Sequence, residues 1–299
     1  MRPHHDSRPT LRSPDLRWGI ERRLEFIELR LFWEGRLNRS DLTRVFGISA
    51  MQASADLRRY DAMAPGNARY DRNAKCFVRS TRFAPRLVNP DSASYLHQLS
   101  ALAEGVLSAS ESWLRQVPPY DKVSFPCRPV DAHVLRAVLD AVHTRSALHL
   151  HYQSMTHPEP NWRWMAPHAL GLDGAHWYAR AFCHRDQRFK DFRLSRVVAV
   201  GDSRADSTLP GSDRAWDTPV TLRIGVHPAL SAGQQRVIAR DYDMENGERA
   251  LTTRLALLPH LLKRLGLDAG FEVRSPQEQP IVLLNRAEIA SLTGGVDHG

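Results

Sequence analysis

Ile20, Leu24, Ile27 and Leu31 recur at helical spacing, while Glu21, Arg22, Arg23, Glu25 and Glu28 fill the other faces. An apolar stripe of that period predicts an amphipathic helix from Leu16 to Glu34, with Gly35 able to end it. Two short helices and an extended pair follow, up to about Phe83. Ala84–Asp91, with Pro85 and Pro90, reads as a boundary. Ser92–Gln116 reads as a helix on Tyr95, Leu99, Leu102, Val106 and Leu107, stopped by Pro118 and Pro119. Val130–Thr144 reads as another, with Val134, Leu135, Val138 and Leu139 inside. From Ala147 to about Val200 the period changes to two, the signature of strands. The predicted strands are Leu148–Ser154, about Arg163–Leu172, His176–Cys183 and Arg188–Val200, with a tight turn at Asp173-Gly174. Gly201–Thr218 reads as a polar linker. Beyond it, strands (Val220–Val226, Leu251–Leu257) mix with helices (Ala229–Ala239, Pro259–Leu267). Residues 1–14 are aperiodic and rich in Arg, Pro, His and Ser, which predicts a disordered arm.

With 299 residues the chain is long enough for two or three domains. No apolar run approaches the ~18 residues of a membrane helix, and the first residues carry no apolar signal segment. The expectation is a soluble, cytoplasmic protein without membrane contact. Cys76, Cys127 and Cys183 share no ligand spacing, which argues against a disulfide framework and a cysteine zinc cage. The net charge of +8 is unevenly placed. Residues 1–90 hold 18 Lys and Arg against 10 Asp and Glu, while the rest of the chain holds 23 of each. A polyanion is drawn to such a segment because neutralising phosphates releases condensed counterions.

The basic segment contains Arg39–Tyr60, RSDLTRVFGISAMQASADLRRY. Ser40 can cap a short helix whose inner face is Leu42, Val45 and Phe46. Gly47 stands where the chain must turn sharply, Ile48 plugs the turn, and Ser49 suits the N-cap of a second helix. In that helix Ala53, Leu57 and Tyr60 share one face, and Met51, Gln52, Ala55, Arg58 and Arg59 the opposite one. Gln matches adenine edges and Arg matches guanine edges or phosphates, so this face suits major-groove reading. The extended stretch Ala68–Val78 can form a hairpin wing that brings Arg69, Arg72 and Lys75 near phosphates. The candidate DNA contacts are Ser49, Met51, Gln52, Ser54, Arg58, Arg59, Arg69, Arg72 and Lys75. An αα-hairpin within a helical bundle is the competing reading; on the DNA-binding reading, bare phosphate contacts by Arg58 and Arg59, giving affinity without sequence information, are the alternative to base reading. The Gly-Ile-Ser turn, with Asp56-Leu57 beginning nine residues after Gly47, resembles the winged helix-turn-helix of bacterial regulators.

The hairpin LGLDGAHWYARAF followed by FRLSRV is similar to the WYL domain, named for a Trp-Tyr-Leu triplet. Here the triplet is Trp177-Tyr178-Ala179, so its third member departs. Tyr152 and Ser154, Pro167-His168, and Phe192-Arg193 with Arg196 also match, in order, over about fifty residues. The resemblance implies an α+β multidomain protein: a winged helix-turn-helix at 15–88, a helical connector at 89–145, a small Sm-like β-barrel sensor at 146–204, and a C-terminal α/β dimerisation extension at 218–299. Within the family the arrangement most resembles repressors beside phage-defence operons. That implies a homodimer on an inverted-repeat DNA operator.

In the predicted barrel Tyr152 and Ser154 share a face, as do Tyr178 and Arg180. Arg193 and Arg196, three apart, need a bulge or bend to converge. Together with His168 and Arg188 these residues suit a phosphate-bearing ligand, since Arg offers a planar donor fork and Tyr can stack a base. A nucleotide or a short single-stranded nucleic acid is the expected ligand. The bland alternative is surface arginines paired with Asp186 and Asp191 beside core tyrosines. His149 and His151 share a strand face, but no third zinc ligand stands at a familiar spacing, and no catalytic motif occurs. Neither enzyme activity, metal nor cofactor is expected. A nucleic-acid-binding accessory acting on RNA or single-stranded DNA, or an activator switched on by single-stranded DNA, remains open.

Overall fold

The computed structural model describes residues 18–293 apart from 109–111, 115–116, 124–125, 127, 157, 207–212, 269 and 271–272. The predicted arm and the start of the first helix at Leu16 lie outside the described residues, as does part of the predicted linker. The chain divides into two compact units, residues 1–124 and 125–299.

The first unit runs α1 (Trp18–Glu34), β1 (Arg36–Leu37), α2 (Arg39–Phe46), α3 (Ala50–Met63), β2 (Ala68–Asp71), β3 (Cys76–Arg79) and α4 (Ser92–Ala103). Leu24, Ile27 and Leu31 of the α1 stripe are buried with Leu42, Ala53, Leu57 and Tyr60. Burial of apolar area contributes roughly 25 cal/mol per Å², so this shared core holds the three helices together. β2 and β3 form the predicted hairpin, and β1 adds a third, unforeseen strand against β3.

Three local expectations fail here. Asn38, not Ser40, precedes α2, and its backbone N–H donates to Asp41 Oδ2 at 2.7 Å. Arg23 and Glu28, read as polar outer positions of α1, are buried. Glu28 accepts from the Tyr60 hydroxyl at 3.1 Å and from the backbone N–H groups of Arg86, Leu87 and Val88 at 2.7–3.0 Å. Arg23 Nε donates to the buried Asp56 at 2.6 Å. The helix expected to reach Gln116 ends at Ala103, because Gly105 turns the chain at φ +68°.

The second unit opens with α5 (Ala132–Thr144), capped by Asp131. It packs on a five-stranded antiparallel sheet of β4 (Ser146–Tyr152), β5 (Asn161–Leu172), β6 (Trp177–Cys183), β7 (Arg188–Arg193) and β8 (Val197–Ala205), ordered β7-β6-β5-β4-β8. Val134 and Val138 of α5 meet Leu148, Leu150, Ala179, Ala181 and Cys183, whereas Leu139 points outward. The small Sm-like barrel expected here is not confirmed, and no closed barrel is found among the described residues. β7 and β8 are the two edges, and no pairing joins them among the described residues. The single strand expected over Arg188–Val200 is instead broken by a 3-10 turn at Leu194–Arg196. The two helices grouped between 89 and 145 fall in different units.

The stretch expected to be a linker keeps β8 going to Ala205 and then forms α6 (Arg214–Asp217). β9 (Pro219–Val226), α7 (Ala232–Asp241), β10 (Glu248–Arg254), α8 (Leu258–Leu265), β11 (Ile281–Leu283) and α9 (Arg286–Thr293) complete the chain. The sheet order is β10-β9-β11. Val220, Leu222, Leu258 and Ile289 form one core cluster and Ile224, Leu267 and Ile281 a second. The strand expected over Leu251–Leu257 begins earlier and ends at Arg254, where a 3-10 turn takes over.

Candidate nucleic-acid interface and sensor site

Gly47 ends α2 in the left-handed region, at φ +63°, which glycine tolerates because it has no Cβ. Ser49 then caps α3, accepting from Gln52 N at 3.2 Å. Those two residues set the angle between the helices. Ala53, Asp56, Leu57 and Tyr60 face inward, and Met51, Gln52, Ala55, Arg58 and Arg59 face outward. Met51 is 80% exposed, so a large apolar side chain is left in water at the start of α3. Arg59 reaches Asp56 only at 3.9 Å. Arg58, Arg72 and Lys75 make no ion pair among the described residues and are exposed. Arg69 is exposed on β2, and Lys75 takes φ +50° at the hairpin tip. Ser54 is placed differently from the rest. Its hydroxyl donates to Ala50 O at 2.8 Å and accepts from Arg39 Nη1 at 3.1 Å.

The five-stranded sheet has two unlike faces. Ala179, Ala181 and Cys183 point to the α5 core, and Tyr178 and Arg180 point to the other side. Arg193 stands opposite Tyr178, and Asp191 opposite Arg180. His168 is the extra residue of a β-bulge between Pro167 and Ala169. A bulge re-aims its side chain, and here His168 Nε2 lies 3.0 Å from Asp213 Oδ2. Arg180 donates to both Asp213 oxygens at 2.7 and 3.0 Å and to Asp191 at 3.1 Å. His260 of α8 completes the chain of contacts, 3.2 Å from Asp191 and with its ring 4.7 Å from that of Tyr178. The Tyr178 hydroxyl donates to Asp173 at 2.7 Å and accepts from Arg193 at 3.2 Å.

Burial pushes the Asp213 carboxyl up, but hydrogen bonds from His168 and Arg180 outweigh it and hold it at about 2. Asp173 is likewise resisted by burial, yet the Tyr178 hydroxyl and two backbone N–H groups hold it far below the usual carboxylate range. Arg193 Nε is buried and has no hydrogen-bond partner among the described residues. Leaving a buried donor unmatched costs about 1–3 kcal/mol.

The sequence-predicted set therefore separates. His168, Tyr178, Arg180 and Arg193 join one network. Tyr152 lies on the core face, where its hydroxyl accepts from Arg193 N at 3.0 Å and is held beside Arg196 and Arg163. The 3-10 turn thus sends the Arg193 side chain to Tyr178 and that of Arg196 toward Tyr152. Ser154 sits beyond β4, 3.2 Å from Thr156, and Arg188 opens β7 opposite Cys183. Of the bland pairs, Asp191 does hold Arg180, while Asp186 holds Lys190 at 3.1 Å. Asp213 and His260 are the residues that sequence reasoning missed. Asp213 lay in a stretch read as linker, and His260 carried no signal beyond its place on a helix. His149 lies between Trp162 and Trp164, and His151 stacks on Trp162, with ring centroids 4.8–4.9 Å apart. No group of three metal-ligating side chains occurs among the described residues. Among them, no helix is long and apolar enough to cross a membrane.

Residues 19–101 match the BrxR transcriptional regulator winged helix-turn-helix domain, 133–201 the WYL domain, and 219–289 the BrxR transcriptional regulator C-terminal dimerization domain. The DNA-binding transcriptional repressor CapW of Stenotrophomonas maltophilia is 39% identical over 278 residues, 93% of each chain. CapW of Escherichia coli strain KTE188 is 38% identical over 92% of each chain, and CapW of Pseudomonas aeruginosa 37% over 96%. A solved structure, proteasome accessory factor B/C of Arthrobacter aurescens, aligns with 93% of this chain and 49% of its own at 17% identity and a TM-score of 0.25, too low to bear on the fold. With its winged helix-turn-helix, WYL and dimerization segments in that order, and more than a third of its residues shared end to end, the chain belongs to the CapW family of DNA-binding transcriptional repressors.

Proposed function

We propose that this protein is a homodimeric transcriptional repressor that binds an inverted-repeat operator of a phage-defence operon and leaves it when a nucleotide or single-stranded nucleic acid occupies the WYL domain. The outward face of α3 carries the reading. Gln52 and Arg58 stand exposed, as do the wing cations Arg69, Arg72 and Lys75, in the first third of the chain, which holds all the excess positive charge. Ser49, Met51, Ser54 and Arg59 border the same face. A dimer would present two such helices to half-sites one helical turn apart, roughly 34 Å, or a multiple of it. The dimerization segment at 219–289 supports the two-fold arrangement.

The ligand reading rests on Arg193. Its unmatched Nε, the Tyr178 ring beside it and the nearby His168 and Arg180 supply a donor fork and an aromatic face. Tyr152, Ser154, Arg188 and Arg196 belong to the proposed ligand set but lie outside this network. His260 connects it to α8, so a ligand that displaces His260 from Tyr178 shifts the C-terminal segment as well. To act as an inducer it must favour one dimer arrangement by about 1–3 kcal/mol.

A gel shift on the DNA immediately upstream of the protein's own gene, titrated with salt against a scrambled competitor, tests the reading. A tight, sequence-selective complex with a two-fold footprint supports it. Weak binding that ignores sequence and collapses with salt would replace it with a non-specific accessory acting on RNA or single-stranded DNA.

A further inference from the structure

Between α3 and the wing lies a cleft of about 490 Å³, bounded by Arg39, Ser54 and Arg58 on one side and by Tyr70, Lys75 and Phe77 on the other. Three of these residues, Arg39, Tyr70 and Phe77, are outside the sequence-predicted reader set. Arg39 is the first residue of α2, and it is exposed. Its guanidinium is steered toward α3 by Ser54 Oγ at 3.1 Å, and Ser54 is itself anchored to Ala50 O. Tyr70 lies on the solvent side of the wing, 53% exposed, with its ring fixed edge-on against Phe77 at 5.2 Å. The cleft therefore carries three cations, a fixed phenol and one opposing carboxylate, Asp61.

We propose that this cleft grips one sugar–phosphate strand of duplex DNA, with Arg39 as a phosphate contact, Ser54 as the residue that positions it, and Tyr70 donating its hydroxyl to the same backbone. The proposal rests on the DNA-binding reading but assigns new residues and a new role for Ser54. Three arguments favour backbone over base edges. Arg39 projects from the first turn of α2, the helix that crosses the backbone in a helix-turn-helix, not from the reading helix. Cations on both walls match a strand that carries charge along its length. Most protein–DNA hydrogen bonds go to phosphate and sugar, with Arg, Ser and Tyr among the donors.

The test compares full-length wild type with Arg39→Ala, Arg39→Lys, Ser54→Ala, Tyr70→Phe and Asp61→Asn on the upstream DNA and on a duplex of random sequence. Affinity is measured across a salt series, with thermal melting to confirm folding. Removing one phosphate contact lowers the slope of log affinity against log salt by about one and weakens all sequences alike. Arg39→Ala is expected to do both. Arg39→Lys should restore the slope and only part of the affinity, since it keeps the charge and loses the fork that Ser54 holds. Ser54→Ala and Tyr70→Phe should weaken both DNAs without altering the slope. Asp61→Asn should tighten binding to both. Arg39→Ala with wild-type affinity and slope would overturn the proposal, as would a loss confined to particular base pairs, which would make Arg39 a base reader. Failure of the wild-type protein to bind either DNA would instead sink the DNA-binding reading itself.

Discussion

Arg58 is exposed on the outer face of α3 and holds no ion pair among the described residues, so it can be replaced without disturbing the fold. Arg58→Ala should abolish selective operator binding while gel filtration still returns the dimer. Operator binding like wild type would mean that another surface reads the DNA. Asp213 is the opposite kind of residue: its side chain is almost fully buried and serves His168 and Arg180 at once. Asp213→Asn leaves the Arg180 charge with Asp191 alone, and breaking a buried pair costs about 3–5 kcal/mol. The sign of its pH dependence follows from the lowered carboxyl. Its contribution is complete above the unfolded value near 3.8 and is lost as pH falls through about 2. The stability gap between wild type and Asp213→Asn should therefore be widest above pH 4 and shrink in acid. A gap independent of pH, read by denaturant melts, would show that Asp213 is not ionised in the fold.

At the scale of elements, the winged domain is held by polar contacts that its hydrophobic stripe does not reveal. Glu28 ties α1 to α3 through Tyr60 and to the chain after the wing through three backbone N–H groups. Without that carboxylate the part-buried N–H groups of Arg86, Leu87 and Val88 would lose their acceptor. Glu28→Ala should destabilise the protein by about 3 kcal/mol, seen as a lower denaturant midpoint, and Glu28→Gln by less, since its carbonyl still accepts. Burial, with Glu28 alongside, also holds the Tyr60 hydroxyl well above its ordinary pKa, so it stays protonated and donating. Gly47 governs the turn between α2 and α3. Gly47→Ala forces a Cβ into left-handed backbone and should cost about 1 kcal/mol although the space around it is open.

For the whole molecule the question is how occupancy of one site reaches another. His260 and Arg264 of α8, and Leu257 just before it, lie against Tyr178, Asp173 and Gly171 of the WYL sheet. The sheet face proposed to sense ligand is thus covered by the C-terminal segment. Arg193→Ala should keep operator binding and lose induction, measured as release of labelled operator on adding short single-stranded DNA or a nucleotide. Release unchanged in that variant would remove Arg193 from the sensor. His260→Ala should leave ligand binding measurable but weaken its effect on operator affinity, because the two couple only through a contact that changes with the ligand.

Local pattern identified α1, α2, α3, the wing hairpin and β4, β5 and β6 of the WYL sheet, because each is marked by a stripe, face, cap or turn whose spacing is local. Gly47, Ser49 and the Ala53–Leu57–Tyr60 face were legible for the same reason. Sequence marked Tyr178, Arg180 and Arg193 as candidates but did not say which would meet. Only the tertiary structure put Asp213, from a polar stretch, and His260, from a distant helix, onto the same sheet face. It also turned Glu28 and Arg23 inward. Those outcomes depend on partners 32 to 69 residues away in sequence, and no local pattern encodes a partner at that distance. A buried charge looks like a surface charge until the group that neutralises it is in place.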